Sequence, residues 1–510
     1  MAAWSDGYFT DVQYTRKFFS HMAPGLMAFA CLRQRIRPPE LGPGSTYLEL
    51  GCGQGFGLNL LAAANPSMQF WGIDFHPGQI ANAQQLARAA GLANVSFDDL
   101  SFSQVLDLPE GRIPRCDVIA LHGVLSWVSP ENRALIVRIL DRHLKPGGMV
   151  MVSYNTLPAW APLMPLRQFV KARFDRTEGP PATRAVEAFR LAKDLIARDA
   201  RALGGSPQVK GLIDGALKGD PAYLIHEYMN DHFHPLYHAD VARELEGARL
   251  TFGASAHLAD DLIGLAAPQP LQDLIQAESD PVWRETLLDY ATPRRFRTNV
   301  FVRGPNELGP GERAALLDAV HFGLMTPPGQ MTFEFKVPIG SLKGDPVAYG
   351  ALVEALADGP RSYGELARLA PFAQGAEGLL MKVIGLLISA GAVHPLAADD
   401  DGADSAKVFN RALLERASEN APTHLAAPAI GTGVKVGFIE LLGLSAAGEE
   451  GADHQEMARR SWDLMSANGS RLTKDGEPLT DKAAHEAEMV ARLKAFESEK
   501  LPLYRRLGVV

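Results

Sequence analysis

The sequence predicts an α/β fold: a mostly parallel sheet covered by helices on both faces, interrupted by a helical insertion and followed by winged-helix-like and helical C-terminal domains. Three observations lead there. Residues 45–153 alternate short apolar runs with amphipathic stretches, the pattern of strands joined by helical crossovers. A glycine-rich turn, Gly51-Cys52-Gly53-Gln54-Gly55, follows the first of those runs directly. The chain has 510 residues, too many for one core when a domain takes about 100–200.

Each element has its own signal. Tyr47–Leu50 reads as a short buried strand, followed by a helix over Gly57–Ala64 that Asn65-Pro66 ends. Gln69–Asp74 is the second strand and Pro77–Ala90 a helix closed by Gly91. Val95–Phe97 and Cys116–Leu121 are the third and fourth strands. Pro130–His143 is a helix stopped by Lys145-Pro146-Gly147-Gly148, and Met149–Tyr154 is the fifth strand. Residues 162–250 read as helical. Leu250–His257 and Phe296–Arg303 read as strands, the second in clean period-2 alternation, and are expected to complete the sheet. Residues 331–397 give a strand and three helices of winged-helix type, and Asp399–Asp404 an acidic linker. The expected division is a helical lid over 1–44, a cofactor-binding core over 45–160, a helical insertion with a dimerisation surface over 161–249, sheet completion and a regulatory region over 250–305, a winged-helix-like domain over 306–398 and a C-terminal domain over 399–510.

Composition narrows the function. With 46% hydrophobic and 21% charged residues the chain is ordinary for a globular protein. A net charge of −9 leaves no basic footprint for nucleic acid. The candidate DNA-recognition helix, Ala376–Leu387, is apolar apart from Lys382 and Glu377 and reads as a buried helix. Cys31, Cys52 and Cys116 have neither metal nor disulfide spacing, which fits a reducing compartment. The N-terminus lacks a signal-peptide pattern, and no apolar run approaches the roughly 20 residues of a membrane span; a cytoplasmic location is expected. His226, His232, His234 and His238, with Asp231 and Asp240, lack the helical ligand spacing of a zinc enzyme. They read as structural histidines, and no metal is expected.

The turn identifies its ligand through Glu49, planted two residues before Gly51. A dinucleotide brings phosphates that this carboxylate would repel, and its fingerprint wants a small third residue where Phe56 stands. S-adenosyl-L-methionine instead brings a sulfonium and an ammonium, which Glu49 would hold. Gly51, Cys52, Gly53 and Gly55 would let the donor lie against backbone. The next helix would turn its positive end toward the donor's carboxylate. Asp74, nineteen residues past Gly55, suits the ribose hydroxyls. Phe75 and His76 would flank the adenine. After the third strand, where such enzymes often place Asp, stand Ser101 and Phe102; these take the adenine contacts. The loop after the fourth strand brings His122 and Trp127 beside the transferring methyl, and Ser153–Trp160, with Tyr154, walls the acceptor pocket. His122, Trp127 and Tyr154 are the acceptor-side catalytic candidates.

Glu49–Gly55, the His122-Gly123-Val124…Ser126-Trp127-Val128 loop and Val152-Ser153-Tyr154-Asn155 together resemble the bacterial S-adenosylmethionine-dependent methyltransferases that carry a methyltransferase regulatory domain. That group includes rickettsial protein-lysine methyltransferases of outer-membrane proteins. Asp11-Val12-Gln13-Tyr14 is similar to the family's N-terminal Asp-x-Val-Pro-Tyr segment, which folds over the donor and makes Tyr14 a donor contact. His226 through Leu258 is similar to the regulatory region, and His424–Val436 to the C-terminal region. The resemblance implies a Rossmann-like class I methyltransferase sheet and methyl transfer to protein lysine. Gln13, Ser20-His21-Met22-Ala23-Pro24 in place of the family's Thr-His-Pro, Leu125 and Ala159 depart from the family pattern, mostly on the acceptor side. A lysine acceptor must arrive neutral. Tyr14, Trp127, Tyr154 and Trp160 would disfavour its ammonium, and His122 would take its proton. The accessory region after residue 305 favours a protein substrate. A small-molecule methyltransferase and a non-catalytic donor-binding regulator are the competing readings.

Overall fold

The computed structural model describes residues 6–10, 16–373, 375, 377–397, 402–416, 421–447, 453–467 and 469–510. Tyr14, with the Asp11–Tyr14 segment, and the first half of the acidic linker lie outside the described residues. Helix α1 (Pro24–Arg33) precedes strand β1 (Thr46–Leu50). The core then runs α2 (Phe56–Ala64), β2 (Gln69–Asp74), α3 (Pro77–Ala89), β3 (Val95–Asp99), α4 (Phe102–Asp107), β4 (Cys116–Leu121), α5 (Pro130–His143) and β5 (Leu144–Asn155). An insertion of six helices spans Met164 to Glu246. The sheet closes with β6 (Leu250–Ser255) and β7 (Phe296–Arg303), separated by further helices that end in Pro281–Ala291.

The strand order is β3-β2-β1-β4-β5-β7-β6, so the chain reverses across β1 and β4. Strands β1 to β5 pair in parallel, while β7 pairs antiparallel with both β5 and β6. Every residue of β1 is buried, as a central strand covered on both faces must be. The antiparallel β7 has a topological consequence: the segment that enters it and the segment that leaves β6 come to the same sheet edge as the glycine turn. In an open α/β sheet, that edge near the strand-order reversal is where ligands bind.

Helix α1 buries Leu26, Met27, Phe29, Ala30, Cys31 and Leu32, so it is a core helix between the sheet and the middle of the chain, where the sequence suggested a lid. The insertion buries its own apolar faces around Phe174, Phe189 and Ile213. Beyond β7, a three-stranded sheet packs with helices Pro346–Ala357 and Glu377–Ser389. The latter covers the candidate recognition helix, which the sequence already reads as buried and unsuited to DNA. Its Leu380, Val383, Ile384, Leu386 and Leu387 are buried, which places it in the core rather than in reach of a groove.

One buried ion cluster fastens β7 to helix Pro281–Ala291. Arg297 is 2% exposed. Its Nε donates to Asp289 at 3.0 Å, and its Nη1 to Glu285 at 2.8 Å. Removing one partner of such a cluster strands the others in low dielectric. Arg297→Met is therefore expected to lower unfolding stability by about 3–5 kcal/mol in chemical denaturation. Adding Glu285→Gln and Asp289→Leu should recover much of that loss.

Candidate functional site

The glycine turn is built by backbone strain that only glycine tolerates. Gly51, Gly53 and Gly55 have φ of +78°, +54° and +66°. A Cβ on Gly51 would meet Val124 at 2.7 Å, and one on Gly55 would meet Ala83 at 2.4 Å. Their absence thus serves turn packing as well as ligand approach. Gly55 caps α2 without a side-chain partner, so the helix N-terminus is left to a ligand.

Two carboxylates stand behind this turn. Asp74 accepts the Gly53 N–H and the His76 N–H, each at 2.9 Å, one on either oxygen. These bonds lock the end of β2 to the turn and leave the second lone pairs free for a diol. Burial raises the Asp74 pKa, while the two backbone bonds oppose the rise. Glu49 is buried, and its Oε2 has no hydrogen-bond partner among the described residues. Burial, with the Asp74 charge nearby, pushes the Glu49 carboxyl up to about 8. An unpaired buried carboxyl is costly, and a cation is the group that would relieve it.

The turn opens on a cavity of about 1220 Å³, more than the roughly 300–1,000 Å³ of a single ligand pocket. Glu49, Gly51, Cys52, Gly53, Gly55, Asp74, Phe75, Ser101, Phe102, His122 and Trp127 all line it. Ser101 is also the N-cap of α4, where it forms a capping box with Gln104. His76 caps α3 through Nδ1 and is not part of the cavity wall. Tyr154 corrects the sequence reading. It is fully buried, its hydroxyl meets His238 Nδ1 at 3.0 Å, and it faces the core with Val150 and Val152. The cavity face of that segment is carried by Asn155, one residue on. His238 is thus a core histidine, and His226 belongs to the cavity wall.

His122 sits in an aromatic cluster with Phe19, His21 and Phe296. It stacks on Phe19 at 3.6 Å between ring centroids and lies 4.9 Å from His21. Burial, with His21 and Lys17 nearby, drives its pKa well below the usual range. His21 falls to about 4, through burial and the proximity of His257. Trp127 packs on Phe233 of the insertion at 4.7 Å, and Trp160 at 4.8 Å.

Sequence reasoning missed much of the wall. Tyr8 packs between Phe75 and His226, near Asp74, in a segment tied down by Phe9 N–H to Asn230 and by Asp231 N–H to Gly7. Gly211, Gly215 and Gly219 of the insertion also face the cavity. So do His257, Asp260, Arg294 and Phe296, which flank β6 and β7. Only His21 had a local signal, its place in the departed Thr-His-Pro segment; the others are joined to the site by topology alone.

These residues fit S-adenosylmethionine: a turn that only glycine allows, a buried carboxyl without a partner and an aspartate with spare lone pairs. Comparison with known proteins agrees. Residues 48–150 match the family described as a methyltransferase domain, and residues 220–303 the one described as a predicted methyltransferase regulatory domain. An uncharacterized protein of Synechocystis sp. is 31% identical over 99% of both chains. One of Rickettsia prowazekii is 28% identical over 52% of this chain and 47% of its own length. The solved structure of PKMT2 from Rickettsia typhi in complex with AdoHcy shares the fold, with a TM-score of 0.65 and 21% identity over 98% of this chain and 99% of that one. No helix among the described residues is long and apolar enough to cross a membrane. The chain belongs to the class I S-adenosylmethionine-dependent methyltransferases that carry a methyltransferase regulatory domain.

Proposed function

We propose that this enzyme methylates lysine side chains of a protein, and that the cavity holds donor and acceptor side by side. The observation that carries the reading is the cavity's extent. Besides the donor wall, its lining includes the rings of Trp127, Tyr223 and Phe296 and the exposed side chains of Lys17 and Arg295. The shared fold with PKMT2 along nearly the whole chain supports it.

On the donor side, Glu49 holds the cationic end and Asp74 the ribose diol. Phe75 and Phe102 flank the adenine with Ser101 at its edge. Gly51, Cys52, Gly53 and Gly55, whose N–H groups are bonded within the turn, give the donor a bare backbone surface to lie on, and the open end of α2 meets the carboxylate. S-adenosylmethionine supplies an already activated methyl, so the protein's task is positioning and desolvation. Tyr14 is proposed as a further donor contact.

On the acceptor side, a lysine must lose its proton. With a reference pKa of about 10.4, this costs roughly 4.6 kcal/mol at pH 7. Lys17, whose Nζ lies over the Tyr223 ring face at 4.3 Å from its centroid, already occupies that face with one cation and repels a second, which favours the neutral amine. His122 is too strongly desolvated to be an effective proton acceptor at neutral pH. Its stacked ring serves instead as a neutral wall between donor and acceptor.

Two measurements test this. Asp74→Ala is expected to weaken S-adenosylhomocysteine binding in calorimetry by about 2 kcal/mol, or some 30-fold, while the circular dichroism stays unchanged. Incubation of the enzyme with a cognate lysate and methyl-labelled donor should label the protein fraction, and acid hydrolysis should release the label as methyl-lysine. Label confined to small molecules would overturn the protein-acceptor reading. Tight donor binding with no S-adenosylhomocysteine formed would mark a non-catalytic regulator.

A further inference from the structure

A second titratable centre lies on the cavity wall, formed by the segments around β6 and β7. His257 Nδ1 lies 3.2 Å from Asp260 Oδ1, and the imidazole is half-exposed on the cavity wall. The backbone is fixed, because the His257 N–H donates to Ser255 Oγ and the Asp261 carboxylate accepts the Ser255 N–H. Asp260 is held in turn by buried Arg294, at 3.9 Å. With Nδ1–H donated to Asp260, the lone pair of Nε2 is available on the other side of the ring.

The charges around this dyad favour a basic imidazole. Arg33, Arg294 and Arg297 face Asp260, Asp261, Glu285 and Asp289. The groups facing His257 are Asp260, Asp261, Arg294 and, from the helical turn Ser20–Met22, His21. The hydrogen bond and charge of Asp260 outweigh burial and hold the His257 pKa above its ordinary value, whereas His21 and His122 are depressed. Of His21, His122 and His257, which lie close together on the cavity wall, only His257 is held above its ordinary value.

We propose that His257, oriented and charge-balanced by Asp260, is the acceptor-side general base, and that the nucleophile it serves is an amine. This rests on the reading of the enzyme as a lysine methyltransferase. In the step, Nε2 of His257 takes a proton from the acceptor ammonium, leaving a neutral amine and an imidazolium. The amine lone pair then forms the new N–C bond as the C–S bond breaks, with its electron pair remaining on sulfur. The product is a methylated ammonium and a neutral thioether, and the imidazolium returns its proton to cavity water. Asp260 acts through its hydrogen bond to His257 and is a positioning residue.

The test uses the full-length enzyme, methyl-labelled donor and the protein fraction of the cognate lysate, with initial rates measured from pH 6 to 10. His257→Gln is expected to lower the rate near pH 7 by about 10²–10⁴-fold. The defect should shrink toward pH 10, where the lysine ionises unaided. Asp260→Asn, which keeps the hydrogen bond but removes the charge, should move the acidic limb of the profile to lower pH. Affinity for S-adenosylhomocysteine should stay within twofold in both variants. An unchanged pH profile in His257→Gln overturns the proposal, as does a loss of S-adenosylhomocysteine affinity in step with the rate. If the label enters a protein carboxylate, the lysine reading and the amine class fail, and the rates of the two variants on that acceptor decide the role of His257 separately.

Discussion

Glu49 is a carboxyl buried at the end of a fully covered central strand, with one oxygen that no described group satisfies. The arrangement around it follows from that constraint. A residue in that position costs stability unless a cation arrives. The protein surrounds it with groups that fix its place rather than neutralise it. Gly51 and Cys52 N–H groups both bond the Ile73 carbonyl, and Asp74 closes the turn from β2. The turn is thereby rigid before any ligand is present, which is how a site gains affinity for a charged ligand without reorganisation.

The second organising feature is the antiparallel pair at the sheet's edge. Were β7 parallel, residues 292–296 would emerge at the opposite edge from the glycine turn. Because it runs antiparallel to β5, its start lies next to Asn155, with the Asn155↔Phe296 register placing both on the cavity wall. The match to the regulatory-domain family covers residues 220–303, the stretch that contains His257, Asp260 and Arg294. Part of what that region contributes is therefore a wall of the active-site cavity. The ion cluster at Arg297 explains how this wall is kept in register, since it joins β7 to the helix before it.

Much of the fold was legible because local pattern and tertiary role agree. The bounds of β2, β4, β7 and the helix Pro130–His143 follow from apolar runs, caps and stop signals alone. Where they diverge, tertiary pairing or helix capping decides. Strand β5 begins at Leu144, ahead of Pro146-Gly147-Gly148, because Leu144 pairs with Cys116 of β4. Helix α4 escaped notice because six residues carry little periodicity, although the Ser101–Gln104 capping box was there to be read. In the site, Glu49, Asp74 and the glycines were readable because strand, turn and next strand end are close in sequence. Tyr154 was misjudged by one residue of strand parity: with Val150 and Val152 it shares the core face, and Asn155 takes the other. His257, Asp260 and Arg294 lie more than 200 residues past the turn, and only the topology of β6 and β7 brings them to it.

The central claim is that Glu49 waits protonated for a cation, and proton counting tests it most directly. Its carboxyl holds its proton up to about pH 8 in the free enzyme, so at pH 7 it is mostly neutral; a bound sulfonium and ammonium favour the carboxylate and drive the proton off. Calorimetry of S-adenosylmethionine binding at pH 7, in buffers of different ionisation enthalpy, should find close to one proton released. The release should fade as pH rises past 8 and be absent in Glu49→Gln. A buffer-independent heat, or the same proton release in Glu49→Gln, would contradict the account.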